Sequence, residues 1–314
     1  MFATAMLAAV LFGTVEDDLG IETLTKAFEY DAKAPLDVRE SNFFERPGAN
    51  VFDVSYASPK GGRVTAFLVT PTTPGRHAGI VFGHWGPGDR TEFLTEASLY
   101  ARAGAVSLLI SYPWRRPAQW RRDLSQVENP EGDHQAFVQA VVDLRRGLDL
   151  LAAREDVDPE RLAYVGHSFG AQWGAILSAV DSRLKATVLM AGVPDQASIW
   201  RDGDDPELVE YRRRTPKEKL DAYLKVCERT AAVRYVPHAK SPLLFQFARY
   251  ERYFNRAAMD RYAAAAPKGT PVLWYHTGHE LNDVQALFDR AAWLRGKIGL
   301  GPIGPLVPSA ADAK

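Results

Sequence analysis

The stretch Arg161-Leu-Ala-Tyr-Val-Gly-His-Ser-Phe-Gly170 decides the fold of this 314-residue chain. Its first half is a short apolar run that predicts a buried strand, and its second half predicts a sharp turn with Ser168 at the tip. Gly166-x-Ser168-x-Gly170 has the spacing of a nucleophile elbow, where small residues leave room for a tightly packed strand and helix. Residues 171–180 then predict a helix, and strand, turn, helix is the order that such a motif requires.

The composition is that of a globular protein, with 46% hydrophobic residues, 25% charged residues and a formal net charge of −1. A charge so close to zero provides no basic field of the kind that binds nucleic acid. Cys227 is the one cysteine, so no intrachain disulfide can form, and no Cys/His cluster has metal-ligand spacing. The sequence therefore predicts no nucleic-acid partner and no metal site, and it does not indicate an oligomeric state.

The N-terminus allows two interpretations. Residues 2–13 are apolar, but no Lys or Arg precedes them, no clear cleavage site follows, and acidic residues begin at Glu16. The run is too short to cross a bilayer, so no membrane partner is predicted. We favour an N-terminal helix of a soluble, cytoplasmic protein, and the alternative is a signal peptide of a secreted one.

Strands and helices alternate from residue 78 onward. This pattern predicts an α/β fold with a mostly parallel sheet covered by helices on both faces, preceded by an antiparallel hairpin, 51–56 and 63–69, at one edge. We expect a helical extension over 1–50, one α/β domain over 51–300 with a charged helical lid at 198–240, and a flexible tail over 301–314. The predicted strands are 78–82, 105–110, 162–165, 186–190, 243–247 and 272–275, and the predicted helices are 92–103, 134–154, 171–180, 255–266 and 282–297.

A serine nucleophile needs a base to take its proton, an acid to orient that base, and donors for the oxyanion. The candidate base is His279, which follows the last predicted strand on a glycine-containing loop. His276 is expected to lie within that strand, and His167 is expected to point away from the serine. Ligands of such sheets bind at the carboxyl ends of the strands, where all these candidates lie.

Two carboxylates compete for the role of the acid. Glu251 lies four residues past Phe247, after the strand that precedes the histidine strand. Asp195 follows the predicted strand 186–190, and its alternative role is to cap a lid helix. The chain order serine, acid, histidine suits either residue, so both remain open.

The oxyanion hole is expected to consist of backbone amides. One belongs to Phe169, the residue after the nucleophile, and the second is expected from Trp85, with Gly86 as the next choice. Trp85 and Trp114, together with the lid, are also candidates for lining an apolar substrate pocket. The alternative for both tryptophans is ordinary packing.

Four motifs carry a resemblance to a known family: Gly83-His-Trp-Gly-Pro-Gly-Asp-Arg90, Gly166-His-Ser-Phe-Gly170, Phe247-Ala-Arg-Tyr-Glu251 and Gly278-His-Glu-Leu-Asn-Asp283. The chain resembles α/β-hydrolases of the dienelactone-hydrolase-like branch, which also resembles acetyl-xylan esterases and prolyl-oligopeptidase-type catalytic domains. The resemblance implies an eight-stranded sheet, no cofactor, and a triad with Ser168 as nucleophile, His279 as base and Glu251 as acid.

The sequence departs from this resemblance at three positions. Glu251 stands where relatives usually have Asp, Trp85 where they often have Gly, and Ser168 where dienelactone hydrolases have Cys. The serine favours esterase chemistry, so we expect a serine hydrolase that cleaves a small-molecule carboxylic ester. The alternatives are a prolyl-oligopeptidase-like peptidase and a catalytically inactive hydrolase fold that serves as a binding protein.

Overall fold

The computed structural model of the chain describes residues 19–304. The N-terminal interpretations, helix or signal peptide, concern residues that lie outside this range, as do residues 305–314 of the predicted tail. Within the described range no helix is long and apolar enough to cross a membrane.

Nine strands of the described range form one sheet, in the spatial order β1-β2-β3-β5-β4-β6-β7-β8-β9. The first three strands and β5 pair antiparallel, and all pairings from β5 to β9 are parallel. The strands are β1 (Arg39–Arg46), β2 (Ala49–Ala57), β3 (Arg63–Pro71), β4 (His77–Gly83), β5 (Ala105–Ile110), β6 (Val157–His167), β7 (Leu184–Met190), β8 (Leu243–Tyr250) and β9 (Val272–Gly278).

Helices cover both faces of this sheet. They are α1 (Ile21–Lys26), α2 (Leu94–Arg102), α3 (Pro130–Ala152), α4 (Phe169–Val180), α5 (Gln196–Trp200), α6 (Pro206–Arg214), α7 (Lys217–Cys227), α8 (Ala232–Tyr235), α9 (Arg256–Ala265) and α10 (Val284–Ile298). Helices α3 and α4 pack on one face, and α2 and α10 pack on the other. The predicted α/β class and the mostly parallel sheet are confirmed.

The central strands are hydrophobic on both sides because both faces are covered. In β5, Val106 and Leu108 belong to the core under α3, whereas Leu109 belongs to the core under α2. Successive side chains of a strand point to opposite faces, so a continuous apolar run supplies both layers at once. This arrangement places the carboxyl ends of β4 to β9 along one edge of the sheet.

The sheet begins earlier than the sequence predicts, because β1 lies within the expected helical extension 1–50. The hairpin of β2 and β3 is consequently not at the edge, and the sheet has nine strands where eight were implied. Most residues of β1 are exposed, so its sequence carries no alternation of apolar and polar residues. The strand is held by backbone pairing to β2 and by ring contacts such as Phe43 with Phe52.

Two further predicted boundaries, those of the lid and of the tail, differ in detail from the structure. The segment expected as a lid contains helices α5 to α8, and we call residues 196–238 the helical insertion. The tail, expected to be loose from residue 301, is attached at its start, because the Gly301 amide donates to the Ala103 carbonyl at 2.7 Å.

Candidate active site

Ser168 lies at a strained turn between β6 and α4. Its φ is +55°, a left-handed value that is costly for a residue with a Cβ and that persists where the surroundings enforce it. A Cβ at Gly166 would collide with the Gly170 carbonyl, and a Cβ at Gly170 would collide with the Gly83 carbonyl. The two glycines of the motif are thus required by the close approach of β6, α4 and the end of β4.

His279 and Glu251 form a buried pair. His279 Nδ1 lies 2.7 Å from Glu251 Oε2, and each side chain is 1% exposed. The other oxygen of the carboxylate accepts from the Arg252 and Tyr253 amides at 3.0 and 2.9 Å, which fixes its orientation. With Nδ1 donating to Glu251, His279 Nε2 is left to act as a base. That nitrogen is buried and makes no hydrogen bond to any described residue.

Asp195 is engaged elsewhere. Its carboxylate accepts from the Ser198 amide at 2.7 Å, which caps α5, and from Arg261 Nη2 at 2.7 Å. The sequence left both acids open, and the structure pairs the base candidate with Glu251 and places Asp195 at a helix terminus.

The backbone amides expected as oxyanion donors have different environments. Phe169 is the first residue of α4, where an amide has no acceptor within its own helix. The Trp85 amide, however, donates to Glu92 Oε2 at 2.7 Å and is therefore not free. The Gly86 amide makes no hydrogen bond to the residues that the structure describes, and Gly86 lines the same cavity as Ser168. Gly86, the next choice from the sequence, is therefore the residue whose amide is the freer of the two.

Glu92 connects three loops around the site. Its second oxygen lies 2.6 Å from His167 Nδ1, and His167 Nε2 lies 2.8 Å from the His279 carbonyl oxygen. His167 thus points away from the cavity, as expected, but it supports the loop that carries the base. No sequence pattern marks Glu92, because its carboxylate folds back seven residues onto the Trp85 amide.

His84 holds the loop after β4 in a neutral form. Its Nδ1 donates to the Trp85 carbonyl at 2.5 Å, and its Nε2 accepts from the Tyr112 amide at 3.1 Å. One donor and one acceptor are what a neutral imidazole offers. Burial accordingly lowers the pKa of His84 to about 3.

A cavity of about 400 Å³ opens onto these groups. Ser168, His279 and Gly86 line it, together with Trp85 and Trp114, the two tryptophans expected there. The rest of its wall is mainly apolar and comes from Pro87, Leu124, Phe137, Phe169, Ile199, Trp200, Leu208, Tyr223 and Tyr253. Among residues 19–304, no group of three or more His, Cys, Asp or Glu side chains is arranged to hold a metal ion.

No protein-family model matches the chain, and no curated protein sequence does. Solved structures do. An acetyl xylan esterase from Paenibacillus sp. R4 aligns with a TM-score of 0.72 at 19% identity, over 88% of this chain and 92% of that one. Acetyl xylan esterase 1 from Thermoanaerobacterium sp. JW/SL YS485 aligns with a TM-score of 0.71 at 14% identity, over 87% and 91%. The α/β hydrolase GrgF from Penicillium sp. sh18 aligns with a TM-score of 0.59 at 13% identity, over 79% and 99%. These similarities show that the chain has the α/β-hydrolase fold.

Proposed function

We propose that this protein is a serine hydrolase that cleaves a carboxylic ester through an acyl-enzyme intermediate. The observation that carries the proposal is the buried Glu251–His279 pair, since His279 has an unpartnered Nε2 and lines the same cavity as Ser168. A strained serine, an oriented imidazole and a carboxylate are the three parts that a serine nucleophile requires.

The reaction follows from these positions. Ser168 Oγ attacks the ester carbonyl carbon while His279 Nε2 takes the hydroxyl proton, and Glu251 stabilises the resulting imidazolium. The carbonyl oxygen becomes an oxyanion, which the Phe169 and Gly86 amides stabilise, each by roughly 3 kcal/mol. The alcohol leaves with the proton from His279. Water then attacks the acyl-enzyme with His279 again as base, which releases the acid and restores Ser168.

Two structural neighbours support an ester as substrate, since both are acetyl xylan esterases. The site adds support of its own. The Glu251 carboxylate, which orients the base, accepts hydrogen bonds from two backbone amides. The imidazole is therefore held in position before any substrate arrives.

A fluorophosphonate probe with peptide mapping tests the proposal on wild type, Ser168→Ala, Glu251→Gln and Asp195→Asn. We expect the label on Ser168 and none on Ser168→Ala. Glu251→Gln removes the charge that stabilises the imidazolium, so labelling should slow by about 100-fold or more. Asp195→Asn is the matched carboxylate control and should label within about threefold of wild type.

Two results would contradict the proposal. The first is a folded wild type that neither reacts with the probe nor hydrolyses p-nitrophenyl esters, which would favour a binding protein. The second is a slowing in Asp195→Asn but not in Glu251→Gln, which would assign the acid to the other strand.

A further inference from the structure

The cavity at Ser168 is larger than the chemistry at the serine needs. Its volume is about 400 Å³. Since one water-sized volume in a liquid is about 30 Å³, about a dozen non-hydrogen atoms fit. We infer that the substrate is an uncharged ester with one bulky apolar moiety, in its acyl or its alcohol part, of about that size. This inference rests on the proposed function, and an acetyl ester of a small alcohol would leave most of the cavity empty.

Three of the aromatic side chains in the wall have their polar atoms bonded to protein groups and so present mainly their apolar surfaces to the cavity. Trp114 Nε1 donates to the Gly86 carbonyl at 2.8 Å, and Trp200 Nε1 donates to Gln196 Oε1 at 3.0 Å. The Tyr253 hydroxyl accepts from Arg252 at 2.6 Å. A sugar or a charged group that entered here would lose hydrogen bonds to water without replacement, whereas an aromatic or aliphatic group would gain contact area.

The charged residues of the wall do not alter this conclusion. Arg115 and Asp123 are both exposed to solvent, and Asp123 is paired with Arg121 at 3.0 Å. Apart from His279, the buried part of the wall therefore carries no side chain that would neutralise a substrate charge.

The helical insertion sets the size of the cavity. Ile199 and Trp200 of α5 and Leu208 of α6 close one wall, opposite rings from α3 and α4. Leu208 is 7% exposed, whereas its neighbour Val209 is 44% exposed and does not line the cavity. The adjacent pair offers a matched test, because a tryptophan at one position fills the cavity and at the other faces solvent.

The first experiment measures kcat/KM for two ester series. One is p-nitrophenyl esters with acyl chains from acetate to decanoate, and the other is acetates of alcohols from ethanol to octanol and naphthol. In at least one series we expect a gain of about fourfold per added methylene until the cavity is filled, or a comparable gain from an aryl group. Flat or falling values in both series would overturn the inference.

The second experiment compares Leu208→Trp with Val209→Trp. Leu208→Trp should reduce kcat/KM for the best long ester at least tenfold more than for the shortest ester of that series. Val209→Trp should change neither. If Leu208→Trp does not fold, Leu124→Trp, on the loop before α3, should give the same shift towards short esters. Equal effects on short and long esters would overturn the inference.

Binding without turnover separates this inference from the proposed function. In Ser168→Ala, calorimetry with p-nitrophenyl octanoate and naphthyl acetate should detect binding of at least one of them, at least tenfold weaker in the Leu208→Trp background. Such binding, with no hydrolysis by wild type, would uphold the cavity and refute the esterase. Hydrolysis of acetates without any preference for larger groups would uphold the esterase and refute the inference.

Discussion

Two histidines near Ser168, His84 and His167, have hydrogen-bond partners of different kinds. His84 faces one acceptor and one donor, which suits a neutral ring. His167 faces two oxygen atoms, one from the Glu92 carboxylate and one from the His279 carbonyl. Identical side chains therefore differ in the hydrogen-bond partners that the fold gives them, which a sequence does not display.

His84 leads to a prediction about acid stability. Burial lowers its pKa to about 3, whereas an unfolded histidine titrates near 6.5. The unfolded chain thus binds more protons between these values, and the free energy of unfolding falls as the pH falls through that window. The slope from this one group is about 1.4 kcal/mol per pH unit. Urea unfolding of His84→Asn from pH 4 to 7 should lack this slope.

The control for this prediction is His238→Asn, since His238 is exposed. It should retain the wild-type dependence on pH. An unchanged slope in His84→Asn would show that other groups, such as buried carboxylates, cause the loss of stability in acid.

The identities of the candidate site residues could be predicted from the sequence more readily than the hydrogen bonds that they make. Ser168, His279 and Glu251 stand out in the sequence because each follows a predicted strand at the expected place in the chain order. The choice between Trp85 and Gly86 depends on which of two adjacent amides Glu92 accepts from, and that depends on a loop conformation. Neither hydrophobic periodicity nor motif spacing contains this information.

At the level of elements, the Glu92 carboxylate connects the loop after β4 to the end of β6 and, through His167, to the loop after β9. Glu92 accepts from the Trp85 amide and pairs with His167, which in turn contacts the carbonyl of His279. The segments that carry the proposed oxyanion donor, nucleophile and base are therefore fixed relative to each other. Positions within about 1 Å matter for catalysis, so we expect this link to affect activity more than stability.

Removal of the Glu92 carboxylate should lower activity. Glu92→Ala should lower kcat/KM for the best ester by about 10- to 100-fold. Glu92→Gln should stay within about threefold, because its amide oxygen accepts from Trp85 and its NH₂ group donates to a neutral His167. The loop control Asp89→Ala removes a carboxylate whose only hydrogen-bond partner among residues 19–304 is Thr91, and it should have little effect on kcat/KM.

Two outcomes at position 92 would contradict this role of Glu92. Equal losses in both variants would show that the charge of Glu92, and not its geometry, is what the site needs. Activity close to wild type in Glu92→Ala would show that the loops hold their positions without the link.

Elements with a strong periodic pattern were predicted almost to their ends. The amphipathic pattern of 134–154 became α3, Pro130–Ala152, which begins earlier because Asn129 accepts from the Gly132 amide and caps it. The polar stretch 115–133 was predicted as a loop, and it conceals a fully buried ion pair, Arg116 with Asp143 at 2.6 Å. A charged residue in a polar segment gives no sign of burial until its partner on another element is known.

At the scale of the whole molecule, the helical insertion forms one wall of the cavity and also encloses the single cysteine. Cys227 ends α7 and is 1% exposed, and Tyr223, one turn earlier, lines the cavity. Access of substrate to Ser168 and access of a reagent to this thiol therefore involve the same helix.

Cys227 can accordingly report whether the insertion opens. Burial raises its pKa to about 12, and the thiolate is the reactive form, so Ellman's reagent at pH 8 should modify the native protein at least about 1,000-fold more slowly than the urea-unfolded chain. If α7 moves to admit substrate, a bulky phosphonate attached to Ser168 should slow the native reaction further, because it fills the cavity against Tyr223. Labelling that is unaffected by the phosphonate and that follows the urea dependence of global unfolding would show instead that the insertion opens only when the whole domain unfolds.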